Sequence, residues 1–251
     1  AFFRRQRQMC IRDSLMDWVK QGGTLIANNR STRSIISNDI GSVKNLNNTF
    51  DKSKNFNFDL MREIYSMEEF IDISDANVNK VSTVITYPWE TTDITYSEEE
   101  LEMRDKWQST LMPSGGIVSA RIDNEHWLTF GAEDMVPVLY GNYPILMTGG
   151  NSEAALRIGE LLPNKESETK TINWSQIPSG YDLSVRMSGL VWPEASQRIA
   201  NSAYLTREKI GKGQIILFSG EPNFRGSALG TNRLWLNACL LYTSPSPRDA
   251  E

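Results

Sequence analysis

The chain has 251 residues, of which 39% are hydrophobic and 23% are charged, and its formal net charge at pH 7 is -5. This composition is typical of a soluble globular protein with one large domain or two small ones. The acidic balance argues against a nucleic-acid partner, because binding to a phosphate backbone requires clustered lysines and arginines. No apolar run approaches the roughly 18 to 20 residues that cross a bilayer, so the sequence predicts no membrane span.

The two ends of the sequence differ in character from its body. Residues 4–14 (RRQRQMCIRDS) and 239–250 (CLLYTSPSPRDA) resemble translated sequencing-adapter read-through, which recurs at the ends of metagenomic reading frames. We therefore predict an adapter-like, disordered segment over 1–13, a domain over 14–238 and an adapter-like tail over 239–251. The alternative is a natural basic arm and a flexible tail.

Both cysteines, Cys10 and Cys239, lie in or beside these end segments. The body of the chain therefore offers no disulfide, no thiolate nucleophile and no thiolate metal ligand.

The body begins with a helix, a glycine pair and a strand. Leu15, Trp18 and Val19 recur at helical spacing. Gly22-Gly23 is a typical helix cap, and residues 24–27 (TLIA) form a short apolar strand. This is half of a βαβ unit whose first strand is missing, so we expect the domain to be truncated at its N-terminus.

Helix and strand patterns continue along the chain. The predicted elements are a polar loop or insertion over 30–57, helices over 59–70, 97–108, 152–162 and 228–240, and strands over 80–86 and 115–122. Residues 211–220 predict a tight turn and then a buried strand. Residues 136–150 form two apolar runs around Gly141-Asn142, which indicates a hairpin, and Pro144 favours an edge position. This mixture of separate helices and apolar strands predicts a three-layer α/β fold.

Residue counts exclude most catalytic centres. A hydrolytic zinc site normally takes two histidines, and this chain has one, His126. A serine triad would also need His126, and the sequence lacks the G-x-S-x-G elbow that presents the serine. Gly211-Lys212-Gly213 precedes a strand, so it is not a phosphate-binding loop. The sequence therefore predicts no catalytic residue, no metal ligand and no cofactor within the chain.

His126 lies in the segment 123–131 (DNEHWLTFG). It could act as an acid or a base beside Asp123 and Glu125. The interpretation we favour is a structural histidine at a strand-to-loop transition whose ring packs near Trp127.

The segment 219–231 (SGEPNFRGSALGT) follows the carboxyl end of a predicted buried strand, where open α/β sheets bind ligands. Glu221, Asn223 and Arg225 are candidates for binding an anion or a carbohydrate there, helped by N–H groups at the start of the following helix. The alternative is structural, with Arg225 paired to Glu221 to hold the loop.

Residues 211–238 (GKGQIILFSGEPNFRGSALGTNRLWLNA) resemble the C-terminal end of bacterial zinc carboxypeptidases of the carboxypeptidase A-like type. In that family a class I glutamine-amidotransferase-like domain follows the peptidase domain. The matching residues are Gly211, Gly213, 215–218, Pro222, Phe224, Arg225, Gly226, Gly230, Thr231, Asn237 and Ala238. Three other stretches agree: the helix-GGTLIA start, residues 125–131, and residues 188–194 (SGLVWPE).

The resemblance implies a flavodoxin-like sheet and a secreted or periplasmic parent enzyme whose zinc is held by a peptidase domain upstream of this chain. No residue here matches the zinc ligands or the catalytic glutamate of that domain. The cysteine nucleophile that amidotransferase-like folds normally host is also unmatched. The implied function is a non-catalytic accessory domain of a metallocarboxypeptidase, with the upstream peptidase domain as its partner.

Two alternatives remain open. One is a carbohydrate- or small-anion-binding amidotransferase-like module attached to another hydrolase. The other is a small-molecule hydrolase that uses Glu221 or His126.

Overall fold

The computed structural model describes residues 2–46, 105–106, 108–149, 151–163, 177 and 181–241. Within them the helices are α1 (Phe2–Lys20), α2 (Asn29–Ser37), α3 (Pro193–Ile199) and α4 (Leu229–Leu240), with short 3-10 helices at Trp127–Thr129 and Phe224–Gly226. The strands are β1 (Thr24–Asn28), β2 (Lys44–Asn45), β3 (Gly116–Ile122), β4 (Met135–Tyr140), β5 (Leu146–Met147), β6 (Ser152–Ile158), β7 (Glu160–Pro163), β8 (Tyr181–Ser184), β9 (Arg186–Ser188), β10 (Ala203–Ile210) and β11 (Gly213–Phe218).

Most of these strands form one mixed sheet. Its main path has the order β1-β11-β10-β6-β3-β4. Off this path, β5 pairs with β2 and β10, and β9 pairs with β3. β1 and β11 pair in parallel, whereas the other described strand pairs are antiparallel. β7 and β8 form a separate two-stranded sheet.

Both faces of the large sheet are buried. Successive side chains of a strand point to opposite faces. In β11, Ile215 packs in a cluster with Val19 of α1 and Ile36 of α2, and Ile216 packs in a second cluster with Leu234 of α4 and Ile199 of α3. Helices therefore cover both faces. The predicted α/β class is confirmed, and this arrangement is compatible with the predicted three layers.

The start of the chain follows the predicted order of helix, glycine turn and strand. Gly22 has φ 123, which L side chains rarely adopt, and it ends α1 as predicted. The helix predicted to start near Ser14 begins earlier, because α1 starts at Phe2 and includes most of the adapter-like segment 1–13. Arginine, glutamine and methionine are good helix formers, so the helix extends through this segment although its apolar residues have no helical spacing.

The polar loop predicted over 30–57 is wrong for its first part. Residues 29–37 form α2 and residues 44–45 form β2. The reason is a narrow apolar face that the polar composition concealed: Thr32, Ile35 and Ile36 are buried, whereas their neighbours are mostly exposed. The remainder of this prediction, residues 47–57, lies outside the described residues.

The helix predicted over 152–162 is also wrong, because this segment forms β6 and β7. Ala154 to Ile158 are all buried, since the sheet lies between two layers of side chains. A strand buried on both faces shows a continuous apolar run, and such a run cannot be distinguished from a buried helix by its spacing.

The hairpin predicted over 136–150 does not form. β4 pairs with β3 along its whole length, and β5 pairs with β10 and β2. Pro144, which was expected to mark an edge strand, lies outside any strand. The proline that does lie in a strand is Pro137, in β4, the last strand of the main path. The two apolar runs are adjacent in sequence but are buried against different partners.

The other described predictions are mostly confirmed. β1, β3, β11 and α4 lie where their patterns predicted them. Of the helix predicted over 97–108, residues 105, 106 and 108 are described and are helical. The helix over 59–70 and the strand over 80–86 lie outside the described residues. β10 was missed because the charged run 207–209 concealed its apolar first half.

Candidate functional site

The carboxyl ends of β1 and β11 lie side by side, because the two strands are parallel and Asn28 is in register with Phe218. The chain leaves β1 through Asn29 and leaves β11 through a turn that leads to Glu221. Asn29 Nδ2 donates a 2.9 Å hydrogen bond to Glu221 Oε1. The two turns are therefore joined at the edge of the sheet where open α/β folds place ligands.

Asn29 has a strained backbone at the point where β1 becomes α2. Its φ is 43, in the left-handed region that asparagine tolerates better than most residues. A strained residue in a sharp strand-to-helix turn is the geometry with which α/β hydrolases present a nucleophile. Here the side chain in that position is a carboxamide, and its N–H is already donated to Glu221.

Two buried hydroxyl groups hold this edge of the sheet together. Thr32 Oγ1 of α2 donates to Phe218 O at 2.8 Å, and Ser219 Oγ donates to Pro144 O at 2.6 Å. Both hydroxyls belong to fully or almost fully buried residues. A buried backbone carbonyl needs a donor, so these bonds fix the position of the two turns.

Three tyrosines lie next to this edge. A Cβ at Gly220 would come within 2.7 Å of the Tyr143 ring, so a glycine is needed beside it. Burial, and after it the nearby Glu221 carboxylate, raises the pKa of Tyr143. Burial raises the pKa of Tyr140 to about 12 and raises the pKa of Tyr204 as well. All three phenols are therefore protonated at neutral pH.

The three candidate residues after β11 do not converge on one point. Glu221 is half-buried and faces Asn29, and Asn223 is exposed. Arg225 is exposed, has φ 51, and stacks its guanidinium over the Phe224 ring with 5.2 Å to the centroid. The Arg225–Glu221 pair of the structural alternative is absent from the described contacts, because Glu221 binds Asn29 and Arg225 stacks on Phe224. The binding of an anion or a carbohydrate by these three residues stays a prediction.

His126 is a buried residue at the turn between β3 and β4. Its Nδ1 accepts the Leu128 N–H at 3.1 Å, and its ring stacks on Trp127 as predicted, with 5.9 Å between centroids. Its Nε2 lies 3.4 Å from Glu153 Oε1. Burial lowers the pKa of His126, and the Glu153 carboxylate offsets only part of this effect.

His126 and Glu221 lie at opposite ends of β11. From His126, the contacts lead through Glu153 to Arg207, and Arg207 Nε donates to the side chain of Gln214, near the start of β11. Glu221 follows the end of the same strand. The two residues therefore do not form one centre, which argues against a hydrolase that combines them.

The described part of the chain contains no group of three or more His, Cys, Asp or Glu side chains that could hold a metal ion. None of its helices combines the length and apolar character that a membrane span requires.

Comparison of the chain with protein-family models, with curated proteins and with solved structures finds no match.

Asn29 is the residue of this edge that sequence reasoning missed. The polar loop was predicted to begin at residue 30, directly after Asn29, so no helix was expected to follow the apolar strand there. The usable signal was the Thr32, Ile35, Ile36 pattern, which marks α2 and places Asn29 at a strand-to-helix junction.

Proposed function

We propose that the chain is a non-catalytic, class I glutamine-amidotransferase-like domain that serves as an accessory domain of a zinc metallocarboxypeptidase. The observation that carries the proposal is the strand-to-helix turn after β1. Its strained position is occupied by Asn29, and the carboxamide is bound to Glu221. The carboxamide of Asn29 is not a nucleophile. The turn can therefore join two loops but cannot present a nucleophilic side chain.

The fold supports the domain assignment. A flavodoxin-like fold requires parallel strands flanked by helices, and β1 and β11 form such a pair between α1 and α2 on one face and α4 on the other. The antiparallel strands β10, β6, β3 and β4 extend this pair, as in many mixed sheets.

The residues that carry the family resemblance occupy positions that specify the fold. Thr231 Oγ1 donates to Pro222 O, and Asn237 Nδ2 donates to Leu128 O and Phe130 O. A Cβ at Gly213 would overlap the backbone of α1. A resemblance built on such positions supports the identity of a domain and does not by itself support an activity.

The zinc ion of the parent enzyme would belong to its peptidase domain. This chain has one histidine, whose Nδ1 accepts the Leu128 N–H and whose Nε2 lies 3.4 Å from Glu153 Oε1. A single histidine does not supply the ligand set of a zinc site, so these residues do not fit one.

The proposal is tested by an activity assay and by the genomic locus. We expect the purified chain, supplied with Zn²⁺, to release no C-terminal residue from peptides under conditions in which a carboxypeptidase A control is active. We expect the reading frame upstream of Ser14 to encode a peptidase domain with an H-x-x-E pair and a distant second histidine. A chelator-sensitive release of C-terminal residues by this chain, or an upstream frame without a peptidase, would contradict the proposal.

The second candidate is a binding module for a carbohydrate or a small anion. It is favoured by the position of Arg225, an exposed cation in the segment that follows β11 at the carboxyl edge of β1 and β11. We expect saturable binding of a glycan-array ligand or of inorganic phosphate by calorimetry, lost in Arg225→Ala. Lys212→Ala is the matched control, because this exposed cation lies at the other end of β11. Equal losses in both variants would indicate charge attraction alone.

A further inference from the structure

We propose that His126 is a pH-sensitive latch: its neutral imidazole fastens the turn between β3 and β4 against α4, and protonation of the ring releases that turn. The latch depends only on contacts within this chain, so it holds whether or not the chain serves a metallocarboxypeptidase.

The hydrogen bond at Nδ1 determines the state of the ring. Nδ1 accepts the backbone N–H of Leu128 at 3.1 Å, so it must carry a lone pair and no proton. The proton of the neutral ring is then on Nε2, which faces Glu153 Oε1 at 3.4 Å. Protonation would place an N–H at Nδ1, directly opposite the Leu128 N–H. The bond that begins the 3-10 helix Trp127–Thr129 would be lost.

The turn that this bond holds is anchored in the core. Leu128 is fully buried, and Thr129 Oγ1 donates to His126 O at 2.6 Å. Asn237 of α4 donates one 2.9 Å bond to Leu128 O and another to Phe130 O. Release of the turn therefore withdraws both acceptors of Asn237 and loosens the C-terminal half of α4.

Within the described residues, the charged groups that act on the ring come from three neighbouring parts of the sheet. Glu153 of β6 faces Nε2, Arg207 of β10 binds Glu153 at 2.7 Å, and Asp123 follows β3. On the side of α4, the Arg233 guanidinium lies beside Gly131. Because the Glu153 carboxylate already binds Arg207, it compensates an imidazolium only in part. Burial dominates, and the pKa of His126 is lowered.

The direction of the pH response follows from this lowered pKa. In the released turn the imidazole has an ordinary pKa near 6.5, and in the closed turn its pKa is lower. The closed state is fully stabilised above pH 6.5, and it loses stability as the pH falls from 6.5 through the closed-state pKa. Within that window the equilibrium constant for opening the turn rises by up to about tenfold for each unit by which the pH falls.

The full chain can be tested by NMR and by hydrogen exchange. The chain has a single histidine, so one set of imidazole nitrogen signals reports its state. We expect the neutral ring to be protonated at Nε2 and to titrate below pH 6.5. We also expect peptides covering 124–132 and 229–241 to lose protection by up to about tenfold per pH unit below 6.5, after correction for intrinsic exchange.

His126→Asn is the matched control variant. Asparagine places Oδ1 where histidine has Nδ1, so it retains the acceptor for Leu128 N–H but does not titrate. In this variant, the protection of backbone amides from hydrogen exchange in these two segments should not change with pH. The latch is refuted by a neutral ring protonated at Nδ1, or by a variant whose two segments respond to pH as strongly as the wild type.

Discussion

Gly213→Ala is expected to lower the free energy of unfolding by about 3 kcal/mol or more, because among the described glycines an added Cβ makes its closest backbone approach here. A Cβ at this position would lie 2.1 Å from Val19 O and 2.2 Å from Gly23 O. Both are backbone atoms and cannot rotate away, so α1 would have to move off β11. That movement would also strain the bonds from Lys212 N to Lys20 O and from Gln214 N to Gly23 O.

Urea unfolding followed by circular dichroism measures this change, and Gly115→Ala is its control. An added Cβ at Gly115 meets no atom within 4 Å, and its φ lies outside the left-handed range. We expect Gly115→Ala to be neutral or to stabilise the fold by up to about 1 kcal/mol, because alanine restricts the unfolded chain. Similar losses in the two variants would contradict the close approach of α1 and β11.

Asn237→Leu is the second substitution with a large expected effect, a loss of about 2 to 4 kcal/mol. The side chain is buried and its Nδ2 donates to Leu128 O and Phe130 O, both at 2.9 Å. Leucine retains the volume but removes the donor, and each buried acceptor left without a donor costs about 1 to 3 kcal/mol. Thermal or urea unfolding at pH 7.5, where the His126 turn is closed, measures the effect.

Two variants separate the hydrogen bonds from packing. Asn237→Asp keeps the shape of the side chain but has no N–H to donate, so it should destabilise the fold at least as much as Asn237→Leu. Asn232→Leu is the control on the same helix, because Asn232 is half-buried and its side chain makes no hydrogen bond within the described residues. A change within about 0.5 kcal/mol is expected there. Equal effects at positions 232 and 237 would show that the two bonds contribute little.

These two substitutions act on opposite faces of the sheet. Gly213 is the point at which α1 approaches β11, and Asn237 connects α4 to the turn that contains His126. The same positions belong to the sequence motif that resembles the carboxypeptidase-linked domains. These positions therefore determine how two helices pack on the sheet, and they carry no evidence of an activity.

The sequence by itself determined the features that depend on local chemistry. The Gly22-Gly23 turn after α1, the strand β11 and the helix α4 each have a local signal, whether a left-handed glycine, an apolar run or helical spacing. The single histidine is likewise a property of composition, and it excludes a two-histidine zinc site whatever the fold.

Only the tertiary structure decided features that depend on partners distant in sequence. β6 has an apolar run that a helix would also bury, and it is a strand because β10 and β3 offer it backbone hydrogen bonds on both sides. The Asn29–Glu221 bond joins residues 192 positions apart. His126 is a structural acceptor because the fold places it in a buried turn beside Glu153. Burial and hydrogen bonds between distant residues are set by packing, so no pattern of neighbouring residues could predict them.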